Sequence, residues 1–250
     1  MADSPAETAT NPMTRTNGEP MPMPTPMDVF QAVETRFSCR AYLDRPVDPA
    51  ILREIIRQAA RVASSGNLQP WHVYVVTGAA LGELKRKVAA AIADHDPRHE
   101  PADYPFQPDD LWEPYFGRRH EHGRQLYDAL KIERSDTAGR LEQYKRNFVF
   151  FDAPVGLFVT TGRRFGVSQW ADCGAYVSTL THLARGYGLD TCPQQSWSRL
   201  HKTVAPFLGM PDDQMIYCGV SLGYGDPDHP VNRFRSPRAE IEDFATFVDE

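Results

Sequence analysis

Residues 62 to 76 read VASSGNLQPWHVYVV, a run of small polar residues that stops a helix, followed by Pro70-Trp71 and an apolar strand. The helix before the junction opens at Asp48-Pro49, where an aspartate can cap free N–H groups and proline suits the first turn. Ile51, Leu52, Ile55, Ile56, Ala59 and Ala63 then recur on one face, predicting a helix that runs up to Gly66. Arg53, Arg57 and Arg61, spaced by four on the opposite side, read as a solvated face. Further upstream Thr25 is placed to cap a helix with Pro26 at its first position and Asp28 three residues on. Val29, Phe30, Val33 and Phe37 form its apolar stripe, and RFSCR (36 to 40) lies at its end. Downstream, His72 to Thr77, Val155 to Thr161 and Met215 to Leu222 are strand candidates. Helical patterns fall at Leu81 to Ala93, Trp170 to Tyr187 and Ile241 to Val248. Few strands among long helices predict an α+β or α/β layered fold.

The 250-residue chain, 41% hydrophobic and 24% charged, is long enough for one sizeable core. A net charge of −6 and the absence of a Lys/Arg block interleaved with aromatics argue against nucleic acid as a partner. Cys39, Cys173, Cys192 and Cys218 lie far apart, so neither a zinc site nor a disulfide framework is expected. His120-Glu121-His122 lacks a further ligand at helical spacing and reads as a surface cluster, so no metal is expected. The longest apolar run, Phe148 to Val159, is too short to span a membrane, and a cytoplasmic protein without membrane contact is the expectation. Residues 1–24 read as a flexible tail without a secretory signal, and residues 25–250 as a single domain. An inserted segment, about 94–140, is rich in proline and carries Tyr104, Phe106, Trp112, Tyr115, Phe116 and Tyr127, as a structured lid over a site would. Gly223-Tyr224-Gly225 runs into Asp226-Pro227 rather than a helix, so it is a turn and not a dinucleotide fingerprint. Ser64 and Ser65 lack a nucleophile elbow, which leaves hydrolase chemistry without an anchor.

Two segments carry binding chemistry. Arg36, Ser38 and Arg40 alternate, so in an extended chain they point one way and offer two guanidinium forks and a hydroxyl to an anion such as a phosphate. Asn67 and Gln69 alternate similarly, and their amides can serve donor and acceptor to a planar heterocycle such as a flavin. Each segment alone also fits surface ion pairs and a simple helix stop.

Taken together and in order, they make the chain resemble the FMN-dependent nitroreductase family. The likeness rests on R-x-S-x-R at 36 to 40, S-S-x-N-x-Q-P-W at 64 to 71, G-L-D-T-C-P at 188 to 193, and G-Y-x-D with P-x-N and basic residues from 223 to 238. It implies an α+β fold, a sheet flanked by helices, in an intertwined homodimer with FMN at the interface. It implies that Arg36 and Ser38, with neighbouring Phe37, hold the FMN phosphate together with Arg238, or in reserve Arg235. Arg40 would sit near the pyrimidine edge as electrostatic support, no side chain acting as a covalent catalyst. Ser64, Ser65, Asn67 and Gln69 would reach the same FMN from the other subunit. Pro193, Gln194, Gln195 and Ser196 would back the ring, and Asp172 would touch its edge. Departures from the family pattern are Ala63 for a frequent proline, Gln195 for an acidic residue and Ser196 for glycine. The implied activity is ping-pong transfer of electrons from NADH or NADPH through the flavin to a nitroaromatic, with Trp112, Tyr115 and Phe116 stacking on that flat acceptor. The alternatives are a reductive dehalogenase or enone reductase on the same scaffold, or a non-catalytic flavin-binding protein.

Overall fold

Aspartates set the helix starts. The computed structural model describes residues 25–105 and 107–248, so the predicted tail at 1–24 and Phe106 of the lid lie outside the described residues. Helix α1, Val29–Thr35, is capped by Asp28, which accepts from the Gln31 N–H at 2.9 Å, and not by Thr25. A cap works from the residue whose carboxylate reaches back over the first turn, and the chain before Asp28 is not helical. Helix α2, Pro49–Ala59, is capped as expected by Asp48, which accepts from the Ala50 N–H at 2.7 Å. It ends at Ala59, short of Gly66, because Arg61 and Val62 bond back three residues in tighter turns, to Gln58 and Ala59, and unwind it.

The strands are β1 (Trp71–Thr77), β2 (Val155–Gly162), β3 (Asp190–Gln194) and β4 (Gln214–Gly223). All pair antiparallel in the order β1-β2-β4-β3. Helices α3 (Gly78–Ala91), α4 (Tyr115–Ala129), α5 (Thr137–Lys145), α6 (Val167–Gly186) and α7 (His201–Leu208) complete the fold. The central strands β2 and β4 read as nearly continuous apolar runs because both their faces are covered. One face packs on α2 and α6 through Ile55, Leu157, Val159, Tyr176, Leu180 and Val220. Trp71 belongs to this layer, its ring stacked 5.0 Å from Tyr176. The other face packs on α3 and α7 around an aromatic cluster of Phe148, Phe150, Phe158 and Trp197.

Helix α7 lies outside the helical patterns of the sequence, and two further elements differ from the sequence expectation. Strand β3 was not predicted: Asp190 and Pro193 are poor strand formers, and an edge position tolerates the proline because only one side of it is paired by a named strand. The helix expected at Ile241 to Val248 is only a 3-10 turn at Ile241–Asp243. Phe244 and Phe247 stay exposed, with no apolar surface among the described residues to cover them, and so short a helix does not hold without packing. The inserted segment is structured, as α4 and the start of α5.

Candidate functional site

The RFSCR segment leaves α1 extended and runs along the open edge of β3. Ser38 forms a parallel bridge with Thr191, and the Cys39 N–H donates to the Thr191 carbonyl at 2.9 Å. The extension turns Arg36, Ser38 and Arg40 into one cleft, together with Phe37. Buried Asn232 fixes the register. Its side-chain oxygen accepts from the Arg40 N–H at 2.9 Å, and its amide donates to the carbonyls of Ala41 and Asp226, each at 2.8 Å. This staple brings the C-terminal segment 234–238 against RFSCR. Asp190 adds a second one, accepting from Arg185 at 2.9 Å and from the Gly225 N–H at 3.2 Å, while Arg185 also donates to Thr35 at the end of α1. Burial pushes the Asp190 carboxyl up against the pull of Arg185.

The cleft encloses about 860 Å³, at the large end of the ~300–1,000 Å³ range of cofactor and ligand sites. Arg36, Arg40, Arg235 and Arg238 converge there, and among the described residues none is ion-paired with a carboxylate. Arg40 donates to the Ser38 carbonyl, Arg235 to the carbonyls of Asn232 and Phe234, and Arg238 to those of Ser236 and Pro237. The Arg235 guanidinium also lies 4.0 Å over the Phe37 ring. Burial, and then the charge of Arg238, hold the Arg36 guanidinium below its ordinary pKa. Like charges gathered at a half-buried site are relieved by a bound anion.

The end of the cleft away from the arginines is built by Pro193 and Gln195 at the tip of β3, by Tyr217, and by a face of α6 carrying Gly174, Val177, Ser178 and Thr181. Gln195 and Pro193 expose their edges to the cleft because Trp197, two residues on, is fully buried and anchors the turn. Gln194 does not line the cleft; its amide donates to the Asn147 carbonyl at 2.8 Å. Ser196 is half-buried, and its hydroxyl has no hydrogen-bond partner among the described residues.

The 64–71 junction does not line this cleft. Ser65–Asn67 form a 3-10 turn with Gly66 and Asn67 at φ 58° and Gln69 at φ 49°, so the expected extended alternation of Asn67 and Gln69 is not present. Glycine and asparagine tolerate the left-handed region, which the turn requires. Instead the Gln69 amide bonds Asn67, and the Gln69 N–H donates to the Ser64 hydroxyl. Asp172, expected at a ring edge, accepts the Ser65 N–H at 3.2 Å on each oxygen and does not line the cleft. Trp112, Tyr115 and Phe116 likewise lie outside the cleft, on the exposed start of α4, where Trp112 packs edge-on to Tyr115.

His122, placed by the sequence in a surface cluster, is in the cleft, its Nδ1 2.8 Å from the Ser236 hydroxyl. That partner is 114 positions away, and only the fold brings it there. No group of three or more His, Cys, Asp or Glu able to hold a metal occurs among the described residues. Burial, then Arg40 and Arg238, push the His122 pKa down. The unfolded chain therefore takes up this proton first as pH falls, and stability present at neutral pH is lost below about pH 6.5. Urea midpoints of the apoprotein at pH 7.5 and 5.5 should show a smaller drop for His122→Gln than for wild type; equal drops would exclude this linkage.

The nitroreductase family model matches residues 33–224. The chain is 40% identical over 230 residues to the nitrobenzene nitroreductase of Ectopseudomonas oleovorans, covering 91% of this chain and all of the relative. It is 38% identical over 224 residues to the 4-nitrobenzoate reductase of Pseudomonas putida, covering 88% and 96%. Among solved structures, the FMN and NADPH-dependent nitroreductase NfnB of Sphigopyxis sp. strain HMH superposes with a TM-score of 0.86 at 38% identity, covering 90% of this chain and all of that one. The FMN-dependent NfnB of Mycobacterium smegmatis, solved with NADPH, gives 0.82 at 29% identity, covering 89% and 100%. Among the described residues no helix is long and apolar enough to cross a membrane.

Proposed function

The chain belongs to the nitroreductase family, and on that premise we propose that it is an FMN-dependent oxidoreductase that passes electrons from NADH or NADPH to nitroaromatic compounds. The observation that carries this reading is the cleft's four guanidiniums, none of them in an ion pair with a carboxylate among the described residues. They fit a phosphate at one end, beside a flat, partly apolar end with room for a ring. Bound there, FMN supplies hydride chemistry that no side chain of the cleft provides.

In this reading Arg36, Ser38 and Arg238 grip the phosphate, and Arg235 supports them from its seat over Phe37. The assignment of Arg238 is favoured by its electrostatic contact with Arg36. Pro193, Gln195 and the backbone of Gln194 and Ser196 back the ring; a non-proline N–H serves as donor whatever the side chain, so Gln195 in place of an acidic residue is tolerated. Arg40 is a cation for negative charge that develops on the ring; Asn232 holds its backbone N–H and the Ser38 carbonyl accepts from its guanidinium, which orient it beforehand. The four arginines and Glu34 give the cleft a net charge of +3, which leaves a positive charge after a phosphate dianion binds.

The assembly in this reading is a homodimer. Its support is the bare α1 stripe, with Val29 at 64%, Phe30 at 82% and Val33 at 56% exposure, an apolar face of a kind a monomer seldom leaves to water. Ser64, Ser65, Asn67 and Gln69, which miss the chain's own cleft, then serve the cleft of the second copy. Asp172 is a positioning residue that holds the Ser65 turn. Trp112, Tyr115 and Phe116 serve as acceptor contacts over that second cleft, since they are exposed and do not line their own.

Purified protein should be yellow, contain FMN and elute as a dimer. Under anaerobic conditions NADPH or NADH should bleach it, and nitrobenzene should restore the colour far faster than buffer alone. Protein that takes up no FMN would end this reading; FMN that is reduced yet not reoxidised by the nitroarene would leave a flavin carrier.

A further inference from the structure

Strand β4 loses register at one residue. Val159 pairs with Cys218 and Thr160 with Ile216, so Tyr217 has no partner on β2, and the β3 pairing stops at Gly219. The slip reverses the strand's faces: Ile216 packs in the α3 and α7 layer, whereas Cys218, two positions on, packs with α2 and α6. Such a bulge re-aims the extra residue. Its loosened carbonyl is held from the lid, where the Tyr104 hydroxyl donates to it and the two rings lie parallel with centroids 6.3 Å apart.

Tyr217 lines the cleft, with its phenol oxygen at the face of α6 that carries Gly174. A Cβ on Gly174 would lie 3.0 Å from the phenol oxygen, so the absence of a side chain there on α6 leaves room for it. Among the described residues this hydroxyl makes no hydrogen bond, although the residue is half-buried. Burial keeps the phenol pKa up, so it retains its proton. A phenol oxygen that lines the cleft with no hydrogen-bond partner among the described residues is a donor available to whatever binds.

We propose that the Tyr217 hydroxyl is the cleft's hydrogen-bond donor to an acceptor atom on the edge of a planar ligand, the FMN ring or the nitro group of the substrate. The inference rests on the FMN reading given above. Tyr104 is a positioning residue for it, acting through the bulge carbonyl.

The test compares wild type with Tyr217→Phe, which keeps the ring stacked on Tyr104, and with Gly174→Ala, which crowds the hydroxyl without removing it. FMN is titrated into apoprotein, and benzoate, a redox-inert shape analogue of nitrobenzene, is titrated into oxidised holoenzyme by its effect on the flavin spectrum. Loss of the bond should weaken FMN about three- to tenfold where a neutral ring atom accepts it, and the ionised benzoate about tenfold or more, in both variants. Weaker FMN with an altered absorption maximum assigns the bond to the flavin; unchanged FMN with weaker benzoate assigns it to the acceptor. Both titrations unchanged in Tyr217→Phe would overturn the proposal while leaving the FMN reading in place. A wild-type protein that binds no FMN would overturn both.

Discussion

Arg36→Ala should bind FMN about ten- to a hundredfold more weakly than wild type, the worth of charge-assisted hydrogen bonds to a phosphate at roughly 1.5–3 kcal/mol. The same substitution should not weaken the empty protein. In the absence of ligand the Arg36 guanidinium is held below its ordinary pKa by burial and by Arg238, so removing it relieves a repulsion and leaves the apoprotein melting temperature unchanged or higher. The two effects have opposite signs, which a loss of folding could not imitate. Thermal melts with and without FMN check this: the stabilisation conferred by a fixed FMN excess should shrink while the apoprotein curve does not fall. Arg53→Ala, on the exposed arginine stripe of α2, should match wild type in both. An unchanged FMN titration for Arg36→Ala would move the phosphate elsewhere in the cleft.

The residues that could be read from sequence are those whose geometry is local. Arg36, Ser38 and Arg40 needed only an extended backbone to share a side, and the edge of β3 provides it. The Ser64 to Trp71 junction was legible as a stop between helix and strand. Its shape was not, because left-handed residues at Asn67 and Gln69 replace alternation with a turn. Tyr217 was illegible for a different reason: a period-two reading of β4 runs straight through a bulge that only the pairing with β2 reveals. His122 depended on Ser236, and Asp172 on Ser65, both remote in the chain. Helical spacing in Gly174, Val177, Ser178 and Thr181 could have marked the cleft-facing side of α6, since small and polar residues repeat there at three and four. The failed helix at Ile241 to Val248 shows the limit of periodicity, which predicts an apolar stripe but not the surface that covers it.

Gly219→Ala should damage both stability and the Gln195 end of the cleft. A Cβ at this position would lie 2.1 Å from Trp197 Cδ1 and 2.8 Å from its Cγ and Nε1, inside any tolerable contact. Neither side has room to yield. Trp197 is fully buried and boxed by the rings of Phe148, Phe150 and Phe158, while residue 219 sits in the strand paired on both sides, by β2 and β3. Overpacking of this kind costs about 3 kcal/mol or more, which in a domain of this size lowers the melting temperature by roughly 6–12 °C. Because Trp197 anchors the turn that begins at Gln195, its displacement should also reduce FMN retention, although residue 219 does not line the cleft. Trp197→Phe alone should destabilise by leaving a void. In the Gly219→Ala background the same change removes atoms that the new methyl strikes, so the double variant should be more stable than the sum of the two losses by about 1 kcal/mol or more. Simple additivity in chemical denaturation would mean that Trp197 escapes the methyl by a route the packed rings do not offer, and the link from β4 to the ring-backing turn would be lost with it.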